Sequence, residues 1–257
     1  MVKSKKSSYK RRIVITLLAS AVIILLWTIL YYIVGNDYIL PSPLASFQSA
    51  FTTIGTGVFL KAFLSTLLRT FIAFLIALII SLVLAVIGYV VPVVSEILRP
   101  IVTVVRSLPV MAILLMIIIW TNPLKAPVFV AFLAVFPILY SDVSSALEEI
   151  PEGIISMSKI YGVPLGRKIT WFYLPFIYPY IVRSSASSLS FSLKVIVSAE
   201  ILSKTYNSIG GLMQEARAYL EMKSLFALAI IVVISGFIIE SLVLTLLLFR
   251  RSKNDYS

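Results

Sequence analysis

The chain has no cysteine and no histidine among its 257 residues. A thiol nucleophile, a Ser-His-Asp triad, a structural zinc site and any disulfide are therefore excluded by composition. Its 11 acidic residues are scattered, and no Asp-x-x-Asp pair offers a metal or acid–base site. The nearest approach to a phosphate loop is Gly162-Val-Pro-Leu-Gly166-Arg167-Lys168, which has one residue too few between its glycines and no Ser or Thr after the lysine. ATP chemistry is thus not expected on this polypeptide, and neither is a bound cofactor or metal.

What remains is charge and hydroxyl chemistry in apolar surroundings. Arg106, Lys194 and Glu240 interrupt long hydrophobic stretches. Charge inside a membrane costs about 2.5–3.5 kcal/mol per residue on insertion scales, so such groups face a cavity or one another. Around Lys194 lie Ser184, Ser188 and Ser192 at four-residue spacing, a pattern that permits close helix approach and interhelical hydrogen bonds. Two readings stay open. In one, Ser188, Ser192 and Lys194, with Arg106 and Glu240, line a translocation path where Lys194 meets an anionic solute group. In the other, Lys194 or Arg106 pairs with Glu240 and the serines only join helices.

The elements that must position these residues follow from composition. With 60% hydrophobic and 13% charged residues the chain lies far from a soluble domain. The apolar residues fall into six blocks, at about 13–34, 60–88, 100–120, 127–147, 179–200 and 223–249. Each is long enough to cross a hydrocarbon layer of ~30 Å as a helix. The expectation is an all-α polytopic membrane protein with six transmembrane helices, and a first span that is retained because it is too long for a signal-peptide core. Pro109, nine residues into the third span, predicts a kink.

The net charge of +11 reads as an orientation signal and not as a nucleic-acid surface. Of 22 basic residues, fourteen lie on the side of the N terminus: the tail of residues 1–12, Arg99, Lys159, Arg167, Lys168, Arg183 and the tail of 250–257. Five lie opposite, at Lys61, Lys125, Lys204, Arg217 and Lys223. Both termini are therefore expected in the cytoplasm, with the chain in the cell membrane among lipid. In the extracytoplasmic segment 35–59, Ser42-Pro43 predicts a helix start, and Leu44, Phe47, Phe51 and Ile54 share one face. That face suits either the membrane interface or the chain's own bundle.

The connection of residues 148–178 carries the most specific pattern. Pro151 and Glu152 predict a helix start, and Gly162 with Pro164 its end. Gly162, nine further residues and then Phe172-Tyr173-Leu174-Pro175 resemble the EAA loop of type I ABC-importer permeases, E-A-A, three residues, G, nine residues, I-x-L-P. Here Ser156, Met157 and Ser158 stand in place of Glu-Ala-Ala, and Phe172 in place of Ile. Leu40-Pro41-Ser42-Pro43, Leu98-Arg99-Pro100, Arg106-Ser107-Leu108-Pro109 and Ala199-Glu200 with Gly210-Gly211-Leu212 make the chain most similar to the nitrate/sulfonate/taurine type.

The resemblance implies the type I ABC-importer permease fold in a homodimer of six-span subunits, binding an ATP-binding cassette ATPase that carries ATP and Mg, and served by an extracytoplasmic solute-binding protein. It implies that Glu152, Met157, Ser158, Ile160, Tyr161, Gly162, Val163, Leu174 and Pro175 couple the permease to the ATPase. The implied solutes are sulfonates, nitrate, taurine-like compounds or a pyrimidine precursor of thiamine. A secondary transporter or an intramembrane enzyme is the competing expectation; the chain offers few ionisable relays for the first and no paired carboxylates for the second.

Overall fold

The computed structural model describes the backbone of residues 3–254 and the side chains of 14–16 and 18–245, so the two basic tails lie outside the described side chains. All regular structure among these residues is helical. In chain order the helices are α1 (Lys3–Val34), α2 (Pro43–Ile54), α3 (Gly57–Val90), α4 (Pro92–Ser107), α5 (Val110–Trp120) and α6 (Ala126–Glu148). There follow α7 (Glu152–Ile160), α8 (Leu165–Lys168), a π-helical turn (Ile169–Tyr173), α9 (Leu174–Ser203), α10 (Ile209–Ala218) and α11 (Met222–Asn254).

Five segments are long and apolar enough to cross a membrane singly: Val14–Val34, Gly57–Val90, Ala126–Glu148, Leu165–Ser203 and Met222–Thr245. The sixth is not the kinked rod that residues 100–120 predict. It is a pair, α4 and α5, bent by 94°. The reason is local: the residue before a proline is pushed out of the α region, and proline has no N–H to give. Leu108 (φ −69°, ψ 131°) and Pro109 (φ −61°, ψ 123°) are both extended, so the helix stops and restarts instead of bending.

The core is built by α3, α6 and α9, with α11 against α9. Lipid removes the hydrophobic drive between helices, so close backbone approach over small residues replaces it. On α3 the buried positions Ala62, Thr66, Thr70, Ala73, Ala77, Ser81, Ala85 and Gly88 form such a seam at three- and four-residue steps. Ser81 Oγ donates across it to the Phe136 carbonyl at 3.1 Å. The α2 start matches its cap signal, with Ser42 Oγ accepting from Ala45 N at 3.2 Å. Its Pro43, Ser46 and Ala50 face inward and α2 packs on α11, while Leu44, Phe51 and Ile54 point out. Phe47, the fourth member of that face, is half-buried, so the chain's own bundle covers it in part and leaves the other three open.

Candidate functional site

Two polar constructions stand at opposite ends of α9, one ahead of its first turn and one after its last. The first is the connection from α6 to α9. Here α7 opens at Pro151, with Glu152 in its first turn complementing the helix dipole. It closes in a Schellman cap: Val163 N donates to Ser158 O at 3.0 Å and Gly162 N to Lys159 O at 3.1 Å. Gly162 holds φ +60°, and a Cβ there would meet nothing, so backbone conformation alone asks for glycine.

This cap divides the helix into two faces. Ile154 and Ile155 pack onto the cluster of Leu139, Tyr140, Val143, Leu147 and Ile150, and Ser158 is buried with its hydroxyl donating to Ile155 O at 2.7 Å. On the other face Met157, Ile160 and Tyr161 are exposed, the last two by 81% and 76%. Glu152 and Gly162 are also exposed, and Val163 is half-buried. A firmly held helix thus presents an apolar, aromatic tip to whatever lies beyond. Behind it Leu174 packs on the same cluster and Pro175 is exposed, after a π turn whose Trp171 ring lies under Arg167 of α8 at 5.6 Å.

The second construction joins α9 to α10. Glu200 is fully buried, and its carboxylate accepts from Arg69 Nη1 at 2.9 Å, Thr66 Oγ1 at 2.9 Å and Gly210 N at 3.2 Å. Thr66 Oγ1 in turn accepts from Ile209 N at 2.9 Å. One buried carboxylate on α9, satisfied by donors from α3 and α10, therefore fixes the three helices together. Gly210 is required by space: a Cβ would lie 2.3 Å from Glu200 Cβ and 2.7 Å from Ile201 N. Gly211 faces the same limit, 2.4 Å from Thr205 O. Ser208 caps α10 by accepting from Gly211 N at 2.8 Å.

Between these ends, α9 carries the residues expected of a path. Ser188 and Ser192 are buried within the bundle, and neither hydroxyl meets a protein partner among the described residues. Lys194 lies instead on an exposed stripe with Arg183, Ser187, Phe191 and Ser198, at steps of four, four, three and four. Ser184, half-buried at its margin, donates to Asp142 of α6. Arg106 is exposed near the end of α4, and Glu240 is half-buried on α11. The expected Lys194–Glu240 or Arg106–Glu240 pair is absent: the ion pairs among the described residues are Arg69–Glu200, Arg99–Glu148 and Lys223–Asp37.

The sequence marks Glu200 only as part of a motif and offers it no partner; Arg69 lies 131 residues away. The available signal was a lone cation and a lone acid in neighbouring apolar blocks. Four-residue spacing groups Ser184, Ser188 and Ser192, whereas the face that carries Lys194 also carries Ser187 and Ser198. Among the described residues no group of His, Cys, Asp and Glu side chains could hold a metal.

Comparison with known proteins follows the same geometry. The family profile described as binding-protein-dependent transport system inner membrane component matches residues 77–252. Among solved structures, the fold is similar to an inward-facing MetNI methionine ABC transporter in its native crystal form, with a TM-score of 0.63 at 20% identity, covering 73% of this chain and 94% of that one. It is also similar to an amino acid ABC transporter crystallised with histidines, with a TM-score of 0.60 at 16% identity, covering 76% and 94%. No curated protein matches.

Proposed function

Because the chain belongs to the binding-protein-dependent transport system inner membrane component family, and is a multi-pass, non-catalytic permease subunit of type I ABC-importer fold, we propose that α7 is its coupling helix and the exposed stripe of α9 its solute path. The observation that carries the coupling assignment is the exposed apolar tip of Met157, Ile160 and Tyr161 on a helix whose other face is anchored in the core. Aromatic anchors supply much of an interface's free energy. The partner is an ATP-binding cassette ATPase that carries ATP and Mg. Its rigid-body movement on ATP binding passes through Ile154 and Ile155 into α6 and α9. Leu174 and Pro175 lie on the segment that receives it.

The path assignment rests on the polarity of one helix face. A Lys194 flanked by Ser187, Phe191 and Ser198 on an open face of a membrane span belongs beside water or a partner, not beside lipid chains. Two copies of the chain facing each other across this stripe would enclose it, and a small anionic solute such as a sulfonate, nitrate or a taurine-like compound fits the cation there. A thiamine pyrimidine precursor is the uncharged alternative. Solute arrives from an extracytoplasmic binding protein, and both termini are in the cytoplasm, as the distribution of basic residues supports.

Co-purification of the membrane-embedded chain with its ATPase tests the coupling. Gly162→Asp places a branched, charged residue at φ +60° beside the tip, and it is expected to abolish the association while the permease still accumulates in the membrane. Retention of a stoichiometric ATPase by that variant removes the assignment. For the path, Lys194→Met is expected to lower uptake of an anionic solute, and normal uptake with unchanged affinity removes Lys194 from it.

A further inference from the structure

Residues Leu165–Ser203 form one helical rod of 39 residues, interrupted by the π turn Ile169–Tyr173 near the end where the α7 connection enters it. Here Leu174 N donates to Ile169 O, five residues back, in place of Thr170 O, four back. A π turn houses one residue more than the same length of α-helix, and such turns concentrate at functional sites. Neither the anchoring of α7 through Ile154 and Ile155 nor the solute path calls for one.

The carbonyls of the turn are unevenly provided for. Thr170 O has no α-helical donor, because Leu174 N is turned to Ile169 O, and no π-helical one, because the residue five ahead is Pro175, which has no N–H. If Leu174 N passed to Thr170 O, the α ladder would close there, and Tyr173 N would stand four residues ahead of Ile169 O to replace it. The two registers differ by an exchange of donors and not by a loss.

The two sides of the turn are held differently. Beyond it the rod is anchored: Tyr173 is buried with its ring 5.2 Å from that of Tyr89 on α3, at 84°, and Ile177 is fully buried. Ahead of it Leu165, Gly166 and Arg167 of α8 are exposed. What positions α8 is the turn itself. Thr170 Oγ1 donates to the Gly166 carbonyl at 3.0 Å, and Arg167 lies over the exposed Trp171 ring.

We propose that this π turn is a register joint between the coupling loop and α9, alternating between π and α arrangements as the ATPase opens and closes, with Thr170 as the positioning residue that latches the π register. The inference rests on the coupling reading above, which supplies the push. Conversion to α lets one more residue contribute its rise and rotation, so α8 turns by ~100° and moves ~1.5 Å along the rod axis. Movement of α7 is taken up there in a step of one residue, while Tyr173 keeps its seat against Tyr89.

The test uses the permease assembled with its ATPase and supplied with its binding protein in proteoliposomes. Structures of the unaltered complex, without nucleotide and with ATP and Mg on a hydrolysis-blocked ATPase, are expected to show Leu174 N on Ile169 O in one and on Thr170 O in the other. Deleting Thr170 removes the extra residue and leaves α as the register available; it is expected to keep the ATPase bound and to lower solute uptake per ATP hydrolysed about tenfold or more. Thr170→Val keeps the residue count and loses the latch, and it is expected to raise ATP hydrolysis without the binding protein about threefold, with Thr170→Ser restoring the unaltered rate. One register in both nucleotide states overturns the joint, as does a Thr170 deletion with unaltered uptake per ATP. Should the deletion fail to accumulate, Thr170→Val decides, and hydrolysis equal to that of the unaltered complex overturns the latch. Retention of the ATPase by Gly162→Asp removes the coupling reading and this inference with it, whereas an invariant register in a complex that transports removes the joint alone.

Discussion

The two ends of α9 are built on opposite principles. At the α7 end the polar work is done by backbone: a Schellman cap, a left-handed glycine and a π turn close the connection, and the side chains left over are apolar and exposed. At the α10 end backbone caps recur, Thr205 N donating to Glu200 O at 3.1 Å and Glu221 N to Ala216 O at 2.8 Å, but side chains are added to them, with a fully buried carboxylate joining three helices and glycines required by lack of room. The difference separates a surface that can move as one body against a partner from a corner that must not change shape. An exposed tip gains from being attached through a few buried isoleucines. A buried ion pair is justified only if every partner stays in place, because removing one strands the other.

Breaking the α10 corner should have the largest effect. Glu200→Ala leaves Arg69 inside the bundle without its counter-charge, and a loss of about 3–5 kcal/mol is expected, read as a lower thermal midpoint of the purified complex or failure to accumulate. Arg69→Ala with Glu200→Ala should recover part of that loss. If the single and double variants are equally damaged, the pair is not what holds the corner. Next comes Gly210→Ala, whose Cβ has backbone and Glu200 Cβ within 2.7 Å and should cost about 1–3 kcal/mol or more.

Gly162→Ala, at the other end, should cost only about 1–2 kcal/mol, through φ alone, since open space surrounds it. A larger penalty at Gly162 than at Gly210 would reverse the comparison. The smallest stability change is expected for Tyr161→Ala, within about ±0.5 kcal/mol for an exposed position, together with loss of ATP-driven uptake. Equal loss of stability and uptake would mean that Tyr161 packs on its own chain and is not a tip.

What could be read ahead of the structure was local. The long apolar blocks became α1, α3, α6, α9 and α11 because length and hydropathy act within one segment. Ser42-Pro43 and Pro151 through Gly162 marked helix ends through chemistry a few residues wide. The right-angle break at Pro109 was visible only as a kink: the proline sets the interruption locally, but the angle between α4 and α5 is set by where the two helices pack. The Arg69–Glu200 tie spans 131 residues and needed the fold. Four-residue spacing alone does not tell which serines share the face of Lys194, because it fits several faces of a long helix and only packing decides which face is left open.

The first helix has an implication of another kind. Among its described side chains the contacts with the rest of the chain are few: it touches α2, Trp27 donates to the Pro41 carbonyl at 3.1 Å, and the same ring lies 5.5 Å from Phe226. None of the three hydrophobic clusters includes a residue before Ala50. In an engineer's vocabulary α1 is a mooring and not a wall. Cutting the chain ahead of Asn36, or grafting a different anchor there, leaves the transport machinery's interior untouched, which makes this helix the natural handle for tethering, labelling or retargeting the subunit.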